Sequence, residues 1–221
     1  SMVALYEKFR PKSFDEFIGF SDAVSRIQSL RDCIGLDGQV FWITGGSGWG
    51  KTSVARLIAA EVANEIDIEE VDAQDVKLET LDQWMKRCHY YPQKEAYAFI
   101  VNEAHTLLPK TVSKLQTFLE EPVVQKHGTF LFTTTDRGHQ RLFDTRFDAF
   151  PFLSRAIMID LELDEATCQA MVHHLAMVES SLGRQVRPLE AYRKMLIDNE
   201  ANLRKCLQEI AAGSTSKRGI A

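Results

Sequence analysis

The sequence is short of the features that mark several large protein classes. Its 221 residues contain only four cysteines, Cys33, Cys88, Cys168 and Cys206, and no two form a CxxC pair. That spacing excludes a zinc knuckle or a dithiol redox motif and leaves reduced, mostly buried thiols. No apolar run is long enough to span a bilayer and no signal peptide opens the chain, so it reads as intracellular and free of the membrane. Ser1-Met2 reads as a remnant ahead of the natural start. Excess positive charge is missing too. The net charge of −5 excludes a surface that is basic all over, although a local basic groove is compatible with it. His173-His174 has no partners at metal-ligand spacing, and there is no internal repeat. What is present is ordinary for a globular chain with a sizeable core and one or two domains: 45% hydrophobic and 26% charged residues.

The organisation is alternating. Residues 3–20 read as irregular, broken by Arg10-Pro11 and Gly19, and Asp22 is placed to cap a helix running to Cys33. Val40-Phe41-Trp42-Ile43-Thr44 is an apolar run of strand length, followed by a helix over 51–63 with Val54, Leu57, Ile58 and Val62 on one face. Further strands are expected over 66–71, 96–101, 129–135 and 156–161. Helices are expected over 75–89 and after Pro109, where Val112, Leu115 and Leu119 form a buried stripe. Strands apolar along their whole length, alternating with helices, predict a mainly parallel sheet covered on both faces. Beyond 161 only helices are expected, near 164–181, 188–198 and 200–212. The expected division is an α/β domain over 3–161, a small all-helical domain over 162–213 and a flexible tail over 214–221.

Gly45-Gly46-Ser47-Gly48-Trp49-Gly50-Lys51-Thr52 matches GxxxxGK[ST], with the strand before it and the helix after it that the pattern requires. Glycines let the backbone fold into a nest of N–H groups that face phosphate oxygens, and the following helix adds its positive end. Lys51 is the residue to reach the outer phosphates of ATP; Thr52 is the Mg²⁺ ligand, and Ser53 completes the loop's start on the helix. Phosphoryl transfer also needs acidic groups at a strand end. Asn102-Glu103 follows the apolar Phe99-Ile100-Val101, which places Glu103 to polarise water and Asn102 to orient the metal through an uncharged amide.

With these pieces in order, the chain resembles the clamp-loader group of AAA+ ATPases, namely replication factor C small subunits and the bacterial gamma/tau subunit. Tyr6 to Gly19 looks like that group's N-terminal box, which implies that Arg10, Pro11, Ile18 and Gly19 line the base pocket. Asn102-Glu103-Ala104-His105 resembles its DEAH-like box with Asn in place of Asp, and Leu119-Glu120-Glu121-Pro122 its LEEP turn. Phe130 to Asp136 is similar to the sensor-1 strand, which implies a γ-phosphate sensor at Thr135 or Thr134. Leu153-Ser154-Arg155 resembles the SRC motif, whose arginine reaches a neighbour's ATP site. Asn202 to Gln208 looks like the lid helix, which implies that Arg204 faces the phosphates.

The resemblance implies a P-loop AAA+ parallel-sheet domain with a helical lid, ATP held between the two, and a clamp-loading ATPase acting with other clamp-loader subunits or as a homo-oligomer. It implies a sliding clamp and primer-template DNA as partners, and a cytoplasmic, nucleoid or nuclear site of action. The chain departs from the group at Asn102, in lacking the bacterial cysteine-rich zinc insertion, in a long connector at 137–152 carrying Arg137, Arg141, Arg146, Phe143, Phe147, Phe150 and Phe152, and in ending where the collar domain begins. Those phenylalanines read as extra core or as a partner patch. Lys86, Arg87, Lys110 and Lys114 read as phosphate-backbone contacts or as solvated helix faces. Asn102 keeps open a second function, a subunit that binds nucleotide without turnover and serves as a scaffold. A third is another DNA-processing AAA+ motor.

Overall fold

The computed structural model describes residues 2–135 and 151–213. The chain divides into two compact units. One comprises Asp22–Gly45 and Gly50–Leu161; the other comprises the chain up to Ser21, Gly46–Trp49, and the chain from Glu162.

The first unit is a sheet wrapped by helices. β1 (Val40–Thr44), β2 (Ile68–Asp72), β3 (Tyr97–Asn102), β4 (Gly128–Thr134) and β5 (Ile157–Asp160) pair in the order β2-β3-β4-β1-β5, every neighbour parallel. In a parallel sheet all carboxyl ends share one edge. Here that edge collects Gly45, Asp72, Asn102-Glu103 and Thr134-Thr135. β3 and β4 are buried along nearly their whole length, as two-sided cover demands. β2 breaks the expectation of strands apolar throughout: it reads Ile-Glu-Glu-Val-Asp and no residue in it is fully buried. The reason is its place at the sheet edge, where side chains reach solvent and charge is tolerated.

The helices of this unit are α2 (Ser21–Ile34), α3 (Lys51–Val62), α4 (Leu78–Cys88), α5 (Pro109–Phe118) and α6 (Pro122–His127). Because α2 begins at Ser21, Asp22 lies in its first turn and acts on the helix dipole rather than as the expected cap. Pro109 and Pro122 each open a helix, where a missing N–H costs nothing, so Leu119-Glu120-Glu121 is the junction between α5 and α6. One face of the sheet packs Trp84, Phe99, Phe118 and Phe130, with ring centroids 4.6 to 6.4 Å apart. Each such buried ring stabilises the fold by about 2–3 kcal/mol. Phe152 is buried against Trp42 and Phe132 and so belongs to this core. Arg137, Arg141, Arg146, Phe143, Phe147 and Phe150 lie outside the described residues.

The second unit is helical. Residues 3–20 are not irregular throughout. α1 (Met2–Lys8) forms and lies on the C-terminal helix, and Phe14–Glu16 is a 3₁₀ turn. α7 (Glu165–Ser181) is capped by Asp164, which accepts a hydrogen bond from Thr167 N at 2.7 Å; that bonding with Thr167 holds its carboxyl below the usual range. α8 (Leu189–Asp198) and α9 (Leu203–Ala212) follow. Asn202 caps α9, and Gly213 closes it at φ +66°. The unit's interior holds a buried ionic cluster. Glu179 accepts from Arg187 Nη2 at 2.8 Å, from Arg187 Nε and from the Tyr192 hydroxyl. Burial pushes the Glu179 carboxyl up, but the hydrogen bonds from Arg187 and Tyr192 outweigh it and keep the group low. All four cysteines are free. Burial pushes the Cys88 thiol up to about 11 and that of Cys206 up to about 12, so both are chemically quiet.

Candidate active site

The phosphate loop leaves β1 at Gly45 and enters α3 at Lys51. Two of its glycines are in the left-handed region, Gly48 at φ +77° and Gly50 at φ +105°, which a side chain would strain. Gly46 is required for space: a Cβ there would lie 2.3 Å from the Trp49 ring. Gly50 O accepts from Val54 N at 2.9 Å, so the helix starts at once and its first N–H groups stay with the loop. Lys51 and Ser53 are buried.

The tip, Gly46–Trp49, packs within the helical unit. The Trp49 ring stacks on Phe20 with centroids 5.8 Å apart, and its Nε1 donates to Glu200 O at 3.2 Å. Glu200 and Ala201 are both left-handed, at φ +53° and +58°, and Phe20 is at +51°. Two left-handed non-glycine residues, Phe20 and Glu200, thus contact this tryptophan, the kind of backbone that persists at working sites. Asn202 also reaches the tip. A Cβ on Gly48 would lie 2.0 Å from Asn202 Oδ1, and Leu203 N donates to Gly48 O at 3.3 Å.

In the sheet unit, Thr52 Oγ1 donates to Asn102 Oδ1 at 3.1 Å, and Thr133 Oγ1 donates to the same oxygen at 2.9 Å. Asn102 Nδ2 donates to Glu70 Oε1 at 2.8 Å. Glu70 in turn accepts from Arg56 Nε at 2.7 Å and Arg56 Nη2 at 3.0 Å. The next residue, Glu103, is left-handed at φ +57°, and its carboxylate lies 3.4 Å from His105 Nε2. The other nitrogen of that ring, Nδ1, is 3.1 Å from Thr134 Oγ1. Thr134 is buried and committed to His105, whereas Thr135 is only half-buried. Strand ends β3 and β4 therefore bring Asn102, Glu103, Thr133 and Thr134 together beside Thr52.

The remaining expected residues are placed as follows. Arg10 forms a two-point pair with Glu7, and its guanidinium lies 4.9 Å from the centre of the Tyr6 ring. Arg204 approaches the same ring at 4.6 Å. Pro11 and Ile18 are half-buried; Gly19, at φ +72°, has no room for a Cβ beside Thr167, and Phe20 N donates to Thr167 Oγ1 at 2.9 Å. Arg155 is exposed and pairs with Glu120 at 3.5 Å. Arg87 is committed to its own fold: it donates to Ile66 O, pairs with Asp67 and Glu69, and lies over Tyr97. Lys86, Lys110 and Lys114 are exposed.

Sequence reasoning missed Glu70, Arg56, Phe20 and Asn202 as parts of these arrangements. The signal for Glu70 was present in Ile-Glu-Glu-Val-Asp, a strand with charges where a covered sheet has none. Phe20 and Asn202 are 29 and 153 residues from Trp49, and no local pattern connects them. Among the described residues no three His, Cys, Asp or Glu side chains are grouped to hold a metal by themselves. The donors at hand, Thr52 Oγ1 and Asn102 Oδ1, are neutral oxygens. They suit a hard divalent cation that takes most of its ligands from phosphate and water.

The strand–loop–helix, the parallel sheet order and the strand-end polar groups define a P-loop nucleotide-binding class. Within that class, the model of the ATPase family associated with various cellular activities (AAA) matches residues 41–152, half of the chain, and the chain belongs to that family. It is similar to the DNA polymerase III subunit gamma/tau of Mycobacterium tuberculosis, 29% identical over 160 residues that cover 61% of this chain and 27% of that protein. It is also similar to the DNA polymerase III subunit gamma of Buchnera aphidicola, 30% identical over 156 residues, 60% of this chain and 42% of that one. The chain thus spans less than half the length of these relatives. Among solved structures, the RuvB Holliday junction branch migration motor of Thermotoga maritima superposes with TM-score 0.64 at 19% identity, over 92% of this chain and 64% of that one. AMPPCP-bound DnaA from Aquifex aeolicus gives 0.62 at 17%, over 92% and 65%. These likenesses show the shared fold. No helix among the described residues is long and apolar enough to cross a membrane.

Proposed function

We propose that this chain is an ATP-binding and ATP-hydrolysing subunit of a clamp-loader-like machine in DNA replication. The observation that carries the reading is the direct hydrogen bond from Thr52, on the phosphate loop's helix, to Asn102, at the end of β3. It joins the phosphate-holding and strand-end halves of a phosphoryl-transfer site. Similarity to the gamma/tau and gamma subunits supports the choice of machine.

In this reading Lys51 and the backbone N–H groups of Gly45–Thr52 hold the phosphates of ATP. Thr52 and Asn102 hold Mg²⁺, which when bound neutralises charge on the transferring phosphoryl group. Glu103 orients and deprotonates the attacking water, with His105 within reach of its carboxylate. Thr134 or Thr135 senses the γ-phosphate, Arg204 serves from the helical lid at 162–213, and Arg10, Pro11, Ile18 and Gly19 receive the base. Arg155 acts on a neighbouring subunit's ATP, so turnover follows assembly. The partners in this reading are other clamp-loader subunits or further copies of the chain, a sliding clamp and primer-template DNA, in the cytoplasm or with the nucleoid or nuclear replication machinery.

One observation favours a second reading, a subunit that holds nucleotide without turning it over. Asn102 contributes no charge, and its amide is engaged on both sides. Steady-state ATPase assays with and without primed DNA and the partner subunits, on wild type and Lys51→Ala, separate the two. The leading reading expects turnover that Lys51→Ala abolishes. Tight binding with no turnover in the full assembly selects the scaffold.

A further inference from the structure

The geometry points to Glu70 as the positioning residue for the amide at position 102, carrying on β2 the negative charge that Asn102 lacks. An ionised carboxylate only accepts hydrogen bonds. The atom of Asn102 that faces Glu70 at 2.8 Å is therefore the NH₂, and this turns Oδ1 toward the hydroxyls of Thr52 and Thr133. Glu70 is held in its turn by the two-point contact from Arg56. Thr52 and Arg56 stand four residues apart on α3 and so share a helix face. The result is a closed circuit. The phosphate loop's own helix reaches Asn102 directly through Thr52, and reaches it again through Arg56 and Glu70.

This arrangement makes the simplest repair of the site destabilising. Asn102→Asp alone replaces a donor facing a carboxylate by a second carboxylate at hydrogen-bond distance, a like-charge contact. Exchanging the pair, Glu70→Gln with Asn102→Asp, restores the bond between positions 70 and 102. The new amide donates to Asp at 102 and its oxygen still accepts from Arg56 Nε, while the contact of Arg56 Nη2 with the former Oε1 is lost. The negative charge moves one side chain closer to Thr52.

The inference rests on the proposed nucleotide site, and two measurements keep the two ideas apart. Wild type, E70Q, N102D and E70Q/N102D are melted without nucleotide or metal, and then titrated with a fluorescent ATP analogue with and without Mg²⁺. Melting is expected to fall by about 2–4 °C in N102D and to recover in part in the double variant, which lacks one Arg56 contact. The Mg²⁺-dependent gain in analogue affinity is expected to rise about tenfold over wild type in the double variant and at least as much in N102D, where the cation also relieves the like-charge contact with Glu70. Equal melting of N102D and wild type, or no recovery in the double variant, overturns the coupling. Recovery of melting with the same Mg²⁺ dependence in all four proteins overturns the positioning role. A wild type that melts as expected yet binds no analogue removes the proposed function, while the melting series still decides the coupling.

Discussion

Two polar clusters of almost the same chemistry sit in different settings. In the sheet unit an arginine, a carboxylate, an amide and two hydroxyls meet at the strand ends: Arg56, Glu70, Asn102, Thr52 and Thr133. In the helical unit an arginine, a carboxylate and a phenol meet between α7 and α8: Arg187, Glu179 and Tyr192. The side chains of Arg56 and Glu70 are 40% and 28% exposed, whereas that of Glu179 is 4% exposed. A buried cluster with every lone pair taken cannot exchange partners without losing stability. A half-exposed one at the carboxyl edge of a parallel sheet can trade a hydrogen bond for a ligand. Closure suits the helical cluster to a structural role, and openness suits the strand-end cluster to ligand exchange, although the residue types alone do not distinguish them.

Breaking the buried member has the largest expected effect. Arg187→Met leaves Glu179 buried and short of its charged partner, and is expected to cost about 3–5 kcal/mol in urea unfolding. Tyr192→Phe removes a donor to Glu179 and the acceptor of Arg187 N, and is expected to cost about 1–2 kcal/mol. If Arg187→Met unfolds within about 1 kcal/mol of wild type, the buried cluster does not stabilise the helical unit. Lys51→Ala tests the phosphate loop beside the open cluster. It is expected to weaken binding of a fluorescent ATP analogue about a hundredfold. Equal affinity of the variant and wild type removes Lys51 from the phosphate site.

The contrast also explains how much was legible in the sequence. The loop was legible because β1, the glycines and α3 are consecutive, and each glycine answers a local demand such as the left-handed Gly48 and Gly50. The sheet was legible because burial on both faces writes itself as apolar runs in β1 and β3. β2 was less clear, since an edge strand obeys solvent as much as core, and its charged residues hid the partner of Asn102. α1 was missed because Arg10-Pro11 and Gly19 dominate that segment, while the helix owes its place to packing on α9. The contacts of Trp49 with Phe20 and Glu200 depend on chain closure over long separations, which local periodicity does not encode.

A weaker effect separates the two units by pH. His174, set edge-on against Phe9 in the helical unit, is pushed down to about 4 by burial. The unfolded chain takes up a proton near the ordinary value of 6.5 and the folded one does not. Stability is therefore complete above about pH 6.5 and declines as pH falls toward 4, by on the order of 2 kcal/mol. His174→Gln is expected to flatten the difference in urea midpoint between pH 7.5 and pH 5. That window lies above the region where the lowered carboxyls of Asp164, Glu165 and Glu179 take up protons. An unchanged slope in His174→Gln would mean that another group controls acid stability.

The smallest effect on the isolated chain concerns Arg155 and Glu120, a pair with side chains 50% and 61% exposed and 3.5 Å apart. Exposed pairs contribute little, so Glu120→Gln and Arg155→Ala are each expected to change unfolding free energy by less than about 0.5 kcal/mol. This near-neutrality is what makes Arg155 informative. A residue with no weight in its own fold can be removed without disturbing the site that shares its chain. In a mixture of Arg155→Ala with Lys51→Ala, each oligomer interface lacks either a phosphate-holding lysine or, on the neighbour, an arginine, unless Lys51→Ala subunits present their Arg155 to Arg155→Ala subunits that retain Lys51. If Arg155 acts across the interface, such mixing restores part of the ATPase activity that each variant lacks alone. If Arg155 acts within its own chain, no mixing ratio restores turnover, and the exposed pair with Glu120 is then only a surface contact.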